Sequence, residues 1–213
     1  MHKIYLVRHG QSYWNLENKF TGSCDIALTE QGRAEAQQVA EFLKGININY
    51  AFSSSLIRAQ ETALLALSQQ GIACQRTTTA IKTNTVLSIC ADPRLNERSY
   101  GELEGLNKDA ARKQYGPEQI KLWRRGYMDC PPGGESLFDT VARVQAFVNA
   151  ALTSILNSED NLNIVIFAHG NSIRALHKIF TFSSDSEIIK FEVNTGQVLA
   201  YQYSNGKYRC VNE

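Results

Sequence analysis

Two histidines stand in matching positions, His9 in Arg8-His9-Gly10 and His169 in Ala168-His169-Gly170, each directly after an apolar run and directly before glycine. Imidazole is a nucleophile near neutral pH whenever one ring nitrogen lacks a proton. Arg8 adds a planar guanidinium whose fork matches two phosphate oxygens at once. Gly10 and Gly170 let the backbone approach a ligand and free amide donors for anionic oxygens. Together these residue types suit a phosphoryl group. Taken alone, either histidine reads equally well as a side chain satisfied at a strand end, and Arg-His-Gly is a weak tripeptide. The repeated placement is more specific, and Ser53-Ser54-Ser55-Leu56-Ile57-Arg58-Ala59 joins it after a third apolar run.

Such positions need a scaffold that ends several strands at one place. Ile4-Tyr5-Leu6-Val7 is a short apolar run of the kind buried on both faces of a parallel sheet. Residues 29–44 carry Ala36, Val39, Ala40 and Leu43 at helical spacing, with Glu30 in the first turn and Gly45 as a stop. Residues 50–54 predict a second strand, and residues 56–67 a second helix carrying Ile57, Leu64 and Leu67. This rhythm predicts a parallel sheet with ligands collected at the carboxyl ends of its strands. Residues 70–91 have no clean period, although a strand could form at 86–89.

Further on, Leu137, Val141, Val144, Val148, Ala151 and Ile155 define a long helix opened by Ser136 and Asp139 as a capping box. Residues 162–168 read as a strand running into His169, and residues 172–180 as the helix after it. Residues 199–203 and 207–211 flank Ser204-Asn205-Gly206, a strong hairpin signal. The expected fold class is α/β, a three-layer sandwich of a mostly parallel sheet flanked by helices, with a C-terminal antiparallel hairpin. No repeat or linker interrupts the chain, so residues 1–213 are expected to form one domain.

With 22 basic and 21 acidic side chains, the chain has no global field for nucleic acid or an anionic membrane, so anion binding must be local. Five cysteines, odd in number and widely spaced, read as reduced thiols, and no metal-binding spacing is visible. The first residues lack the apolar core of a secretory signal, and no later run approaches the ~20 residues that cross a bilayer. A cytoplasmic protein is expected.

A set of motifs extends the pattern: Leu6-Val7-Arg8-His9-Gly10-Gln11-Ser12, Trp14-Asn15-Leu16-Glu17-Asn18, Phe20-Thr21-Gly22 and Leu28-Thr29-Glu30-Gln31-Gly32, then Arg58-Ala59. Arg94-Leu95-Asn96-Glu97-Arg98 with Tyr100-Gly101 follows, then Gly105-Leu106-Asn107-Lys108 and Trp123-Arg124-Arg125, and finally Gly134-Glu135-Ser136-Leu137 and His169-Gly170-Asn171-Ser172. Through them the chain resembles, nearly end to end, the histidine phosphatase superfamily and within it the cofactor-dependent phosphoglycerate mutases. The resemblance implies a phosphoglycerate mutase-like fold in which His9 is the nucleophile, Arg8, Arg58 and His169 hold the transferring group, and Glu97 exchanges a proton with the substrate oxygen. It implies contacts to the substrate's carboxylate and second phosphate from Asn15, Thr21, Gly22, Arg98, Tyr100, Lys108, Arg124 and Arg125. Gly10, Gln11, Ser12, Tyr13, Trp14, Ser99, Gly170 and Asn171 complete the implied binding set.

The implied activity is interconversion of 3-phosphoglycerate and 2-phosphoglycerate in glycolysis and gluconeogenesis, through a phosphohistidine primed by 2,3-bisphosphoglycerate and without a metal. The partners would be small-molecule phosphoglycerates, with a homodimer left open. A histidine-type phosphatase acting on small phosphate esters is the alternative, since it needs only one phosphate site and access for water, whereas a mutase must hold its intermediate without water. A non-catalytic phosphate binder would need neither His9 nor Glu97. Two departures bear on this choice: Gln11 stands where many members have Glu, and only eight residues separate Arg125 from Gly134, where longer mutases carry an insertion. The chain also stops soon after the hairpin.

Overall fold

In a computed structural model of the chain, the described residues are 1–70, 73–77, 86–158 and 160–211, with the backbone alone described for 73–77 and 86. Seven strands, β1 His2–Arg8, β2 Tyr50–Ser53, β3 Ala73–Thr77, β4 Val86–Ala91, β5 Asn163–Ala168, β6 Val198–Ser204 and β7 Lys207–Cys210, form one sheet in the order β3-β4-β2-β5-β1-β6-β7. The first five in chain order run parallel, and β6 and β7 close the edge as the antiparallel hairpin. The strand expected at 86–89 is β4. β3 was not anticipated, and the rest of the ambiguous stretch, residues 71–72 and 78–85, lies outside the described residues.

Nine α-helical segments surround the sheet among the described residues: α1 Tyr13–Leu16, α2 Glu30–Leu43, α3 Ile57–Leu67, α4 Lys108–Tyr115, α5 Pro117–Arg125, α6 Leu137–Phe147, α7 Thr153–Leu156, α8 Gly170–Thr181 and α9 Asp185–Ile188. Period-2 alternation along β1 sends Ile4 and Leu6 to one face and Tyr5 and Val7 to the other. On the first face they meet Val144 and Phe147 of α6 and Leu176 and Phe180 of α8. On the second they meet Val39 and Leu43 of α2 and Ala63, Ala66 and Leu67 of α3. Each fully buried side chain of this kind contributes about 1.5–3 kcal/mol, which makes the two cores the dominant restraint on strand position.

Three local differences from the sequence reading matter. α3 buries Arg58, Ala59, Thr62, Ala63 and Ala66, while Ile57, one of the apolar residues that marked the helix in the sequence, is 40% exposed. Its small-residue stripe turns Arg58 inward. The long helix at 137–155 is not uniform, because a π turn over Val148–Leu152 separates α6 from α7. Lastly, α4 and α5, which no periodicity predicted, pack over a separate cluster of Phe20, Leu103, Ala111 and Ile120.

Candidate active site

β1, β2 and β5 are neighbours in the sheet, so their carboxyl ends deliver His9, Ser54 with Arg58, and His169 to one place. The rings of His9 and His169 lie 4.9 Å apart between centroids and are inclined at 57°. Both are buried. His9 Nδ1 is 2.6 Å from the Gly10 carbonyl oxygen, which can only accept, so Nδ1 carries the proton and Nε2 keeps its lone pair. Ser54 Oγ donates to Asn96 Oδ1 at 2.8 Å and lies 2.8 Å from His169 Nε2, which therefore donates to it. His169 Nδ1 is left without a hydrogen-bond partner among the described residues.

Gly10 does not present its backbone to a ligand as the sequence suggested. Its N–H donates to Thr62 Oγ1 at 3.1 Å, and a Cβ there would lie 2.1 Å from the carbonyl oxygen of Gly32. The glycine is needed because the His9 loop rests backbone to backbone on the first turn of α2. Thr62 Oγ1 in turn donates to the Arg58 carbonyl at 2.7 Å, tying that loop to α3.

Arg58 is fully buried, and its Nη1 and Nη2 donate to the carbonyls of Cys24 (2.7 Å) and Gly22 (2.8 Å). Arg8 Nη1 donates to Val193 O at 2.5 Å. The Nε atoms of both arginines and the hydroxyl of Thr21 are buried with no partner among the described residues. Unsatisfied donors of this kind are costly and mark a place built for an acceptor. Burial first, then the guanidiniums of Arg58 and Arg8, push His9 well below its ordinary value. His169 is lowered by burial and Arg58 in the same way. Burial also brings Arg58 down to about 10, against the opposing pull of Glu97.

Glu97 closes this group from the other side. Its Oε1 accepts from the N–H of Arg98 (2.8 Å) and of Asn171 (3.0 Å), so the Asn171 amide at the start of α8 serves the carboxylate. A Cβ on Gly170 would come within 3.6 Å of Glu97 Oε2 and 3.7 Å of Arg8 Cζ, so this glycine does face the site. The loop carrying Glu97 is itself held by Arg143 of α6, whose Nη1 donates to the carbonyls of Arg94 (2.8 Å) and Asn96 (3.0 Å) and whose Nη2 donates to that of Glu97 (3.3 Å).

Arg8, His9, Arg58, Glu97, Gly170 and Asn171 line a cavity of about 240 Å³ that extends toward α4 and α5, whereas His169, wholly buried beside His9, is not part of the lining. Asn15, Thr21, Gly22, Tyr100, Lys108, Arg124 and Arg125, seven of the residues for which the resemblance implied substrate contacts, line it. Burial, followed by Arg124, lowers Lys108, and burial lowers Arg124. Burial would raise Tyr100, but Arg98, stacked 4.7 Å over its ring, brings it down on balance.

Other expected residues sit behind the lining. Arg98 is wholly buried and donates through Nη2 to the carbonyls of Trp123 (2.8 Å) and Arg124 (3.0 Å), which fixes the end of α5. Ser99 bonds to Glu135 and Glu104, and Gln11 to Glu35 and Thr29. Ser12 forms a capping box with Asn15, Tyr13 is 47% exposed, and Trp14 packs beside Gly105.

Lys19, Phe20, Arg174, Glu192 and Val193 line the cavity without having been anticipated. Lys19 and Phe20 lie between residues that were named. Arg174 follows Asn171 by three positions on α8, a spacing that places both on one face, and its Nη1 donates to Asn171 Oδ1 at 3.1 Å. Nothing in the sequence pointed to Glu192 or Val193. The lining holds seven cationic side chains against two carboxylates, Glu97 and Glu192, which suits a small polyanion.

The model of the histidine phosphatase superfamily, branch 1, matches residues 4–212. Among relatives, a 2,3-bisphosphoglycerate-dependent phosphoglycerate mutase of Azorhizobium caulinodans is 46% identical over 202 residues, covering 93% of this chain and 91% of that protein. Its counterpart of the same name in Mesorhizobium japonicum is 45% identical over the same shares. Among solved structures, a mycobacterial glucosyl-3-phosphoglycerate phosphatase complexed with VO3 superposes with a TM-score of 0.83 at 25% identity, covering 99% of this chain and 97% of that one. Bacillus stearothermophilus YhfR shares the fold with a TM-score of 0.82 at 24% identity, covering 100% of this chain and 96% of that one. On the full-length family match and these relatives, the chain belongs to the histidine phosphatase superfamily, branch 1.

Proposed function

We propose that this protein interconverts 3-phosphoglycerate and 2-phosphoglycerate, in glycolysis and gluconeogenesis, as a 2,3-bisphosphoglycerate-dependent mutase acting through a phosphorylated His9. The observation that carries the reading is the free Nε2 lone pair of His9 in a pocket lined by cations from two parts of the fold, Arg8 and Arg58 from the strand-end junctions and Lys108, Arg124 and Arg125 from α4 and α5. The mutase name of relatives at 46% and 45% identity supports the choice of substrate.

In the first half-reaction His9 Nε2 forms a bond to phosphorus as the bond to the leaving oxygen breaks. The electron pair stays on that oxygen, which takes a proton from Glu97. In the second, a glycerate hydroxyl oxygen attacks phosphorus, its proton passes to Glu97, and the N–P pair returns to Nε2. Negative charge spreads over the phosphoryl oxygens, and Arg8 and Arg58 meet it, joined by His169 when the bound anion draws a second proton onto its ring at Nδ1, a well-placed donor in such sites being worth ~3–4 kcal/mol. The unpartnered donors Arg8 Nε, Arg58 Nε and Thr21 Oγ1 fit a bisphosphorylated ligand. 2,3-Bisphosphoglycerate supplies the priming phosphoryl group, and the cations of α4 and α5 let either anionic end be held while the other reacts.

A histidine-type phosphatase for small phosphate esters is the second reading, favoured by the likeness in fold to the glucosyl-3-phosphoglycerate phosphatase. It shares the His9 step and uses water in the second. The two separate in one assay that follows 3- and 2-phosphoglycerate with and without 2,3-bisphosphoglycerate, alongside phosphate release. Isomerisation that depends on 2,3-bisphosphoglycerate is expected, and rapid hydrolysis with no isomerisation would overturn the mutase.

A further inference from the structure

Glu192 is the one lining carboxylate, besides Glu97, among the described residues. The backbone on both sides of it is held by the cavity's own arginines, with Arg174 Nε donating to Phe191 O at 2.6 Å and Arg8 Nη1 to Val193 O at 2.5 Å. Among the described residues the carboxylate forms an ion pair with Arg125. Oε1 lies 2.5 Å from Nη2, and the Glu192 side chain is 65% exposed. Arg8, Arg58, Lys108, Arg124 and Arg174 line the same cavity with no ion pair among the described residues, and Lys19 pairs with Glu17, which is not part of the lining, so among the described residues Arg125 is the lining cation paired to a carboxylate of the lining itself.

An ion pair this exposed is weak and exchanges readily. A ligand anion arriving at Arg125 therefore meets a carboxylate that is easily displaced but remains tethered close by. Its field is uneven over the cavity. Glu192 is among the charges acting on Arg8, Arg124 and Arg174, whereas the charges acting on His9 are those of Arg58 and Arg8.

We propose that Glu192 is a specificity-determining residue whose carboxylate, held at Arg125 on a backbone pinned by Arg8 and Arg174, competes with the second anionic group of a ligand. It lowers the affinity for two-ended anions relative to a lone phosphate. In a cavity with seven cations this opposes over-tight retention of product, since the departing anion is replaced at Arg125 by a carboxylate of the chain itself. The proposal takes its choice of ligand from the mutase reading, but it concerns binding alone.

The test is calorimetric titration of the full chain with 3-phosphoglycerate and with orthophosphate, for wild type, E192Q, R125Q and the double variant. Glu192→Gln should tighten 3-phosphoglycerate binding by about two- to fivefold, the equivalent of one exposed ion pair. Orthophosphate affinity should move less, and the gain should vanish without Arg125. Equal tightening of both ligands, weaker 3-phosphoglycerate binding, or the same gain in the Arg125→Gln background would overturn the proposal. If the protein proves not to isomerise phosphoglycerates yet this pattern holds, the mutase reading fails and the role of Glu192 stands.

Discussion

His9 and His169 are both kept neutral, by burial first and by the guanidinium of Arg58 next. That arrangement leaves a lone pair on His9 for phosphorus, and it also couples folding to pH. Folded-state values lie below the ordinary 6.5, so in the window beneath 6.5 the unfolded chain binds more protons than the native one. The two rings' contribution is therefore complete above about pH 6.5 and is lost as pH falls toward the depressed values, at most about 1.4 kcal/mol per pH unit for each ring. Urea unfolding is expected to show falling stability from pH 7 to pH 5, with orthophosphate reducing the loss because its charge favours protonated rings. Stability that stayed flat over this range would contradict two buried neutral imidazoles. The sequence revealed the residue types at His9 and His169 because each follows an apolar run, but not the proton on Nδ1, which depends on where the Gly10 carbonyl points.

Glu97 is positioned by the elements around it, which makes its placement a question of loop geometry. Arg143 spans from α6 to three carbonyls of that loop and pairs with Glu135 at 2.8 Å, and Glu135 Oε2 also accepts the Ser99 N–H at 3.0 Å. Arg143→Ala is expected to cut kcat by ~10- to 100-fold through misplacement of the carboxylate, with a smaller change in KM. Arg143→Lys should recover little, since an ammonium cannot reproduce a rigid fork on several acceptors. An unaltered kcat would mean that the loop holds Glu97 without the clamp. At this scale legibility was uneven. Long apolar periods exposed α2 and α6, and the βα junctions exposed the strand ends. α4 and α5 passed unnoticed because they are short and highly charged, although Asn107, whose side chain accepts from Asp109 N and Ala110 N, and the Gly116-Pro117 pair were visible caps. Ile57 misled because apolar content alone says nothing about which face an Ala stripe will pack.

Across the whole molecule, the strand order sets His9 and His169 on adjacent β1 and β5, with Ser54 and Arg58 following β2 on the other side of β5. Parallel pairing of segments so distant in sequence is why the repeated placement of His-Gly after an apolar run was informative: it predicted two strand ends of the same polarity without showing that they touch. The cations of α4 and α5 arrive differently, on helices resting on the satellite cluster around Phe20 and Leu103. Lys108, Arg124 and Arg125 were therefore nameable only through resemblance, and Arg174, Glu192 and Val193 only from the assembled chain. The central claim is that the His9 ring becomes covalently loaded with phosphate. Intact-protein and peptide mass spectrometry at neutral or alkaline pH, after brief exposure to 2,3-bisphosphoglycerate, tests it most directly. One acid-labile phosphoryl group on the peptide containing His9, absent in His9→Ala, is the expected result. Phosphate carried by another residue, or wild-type turnover in the His9→Ala protein, would contradict the account.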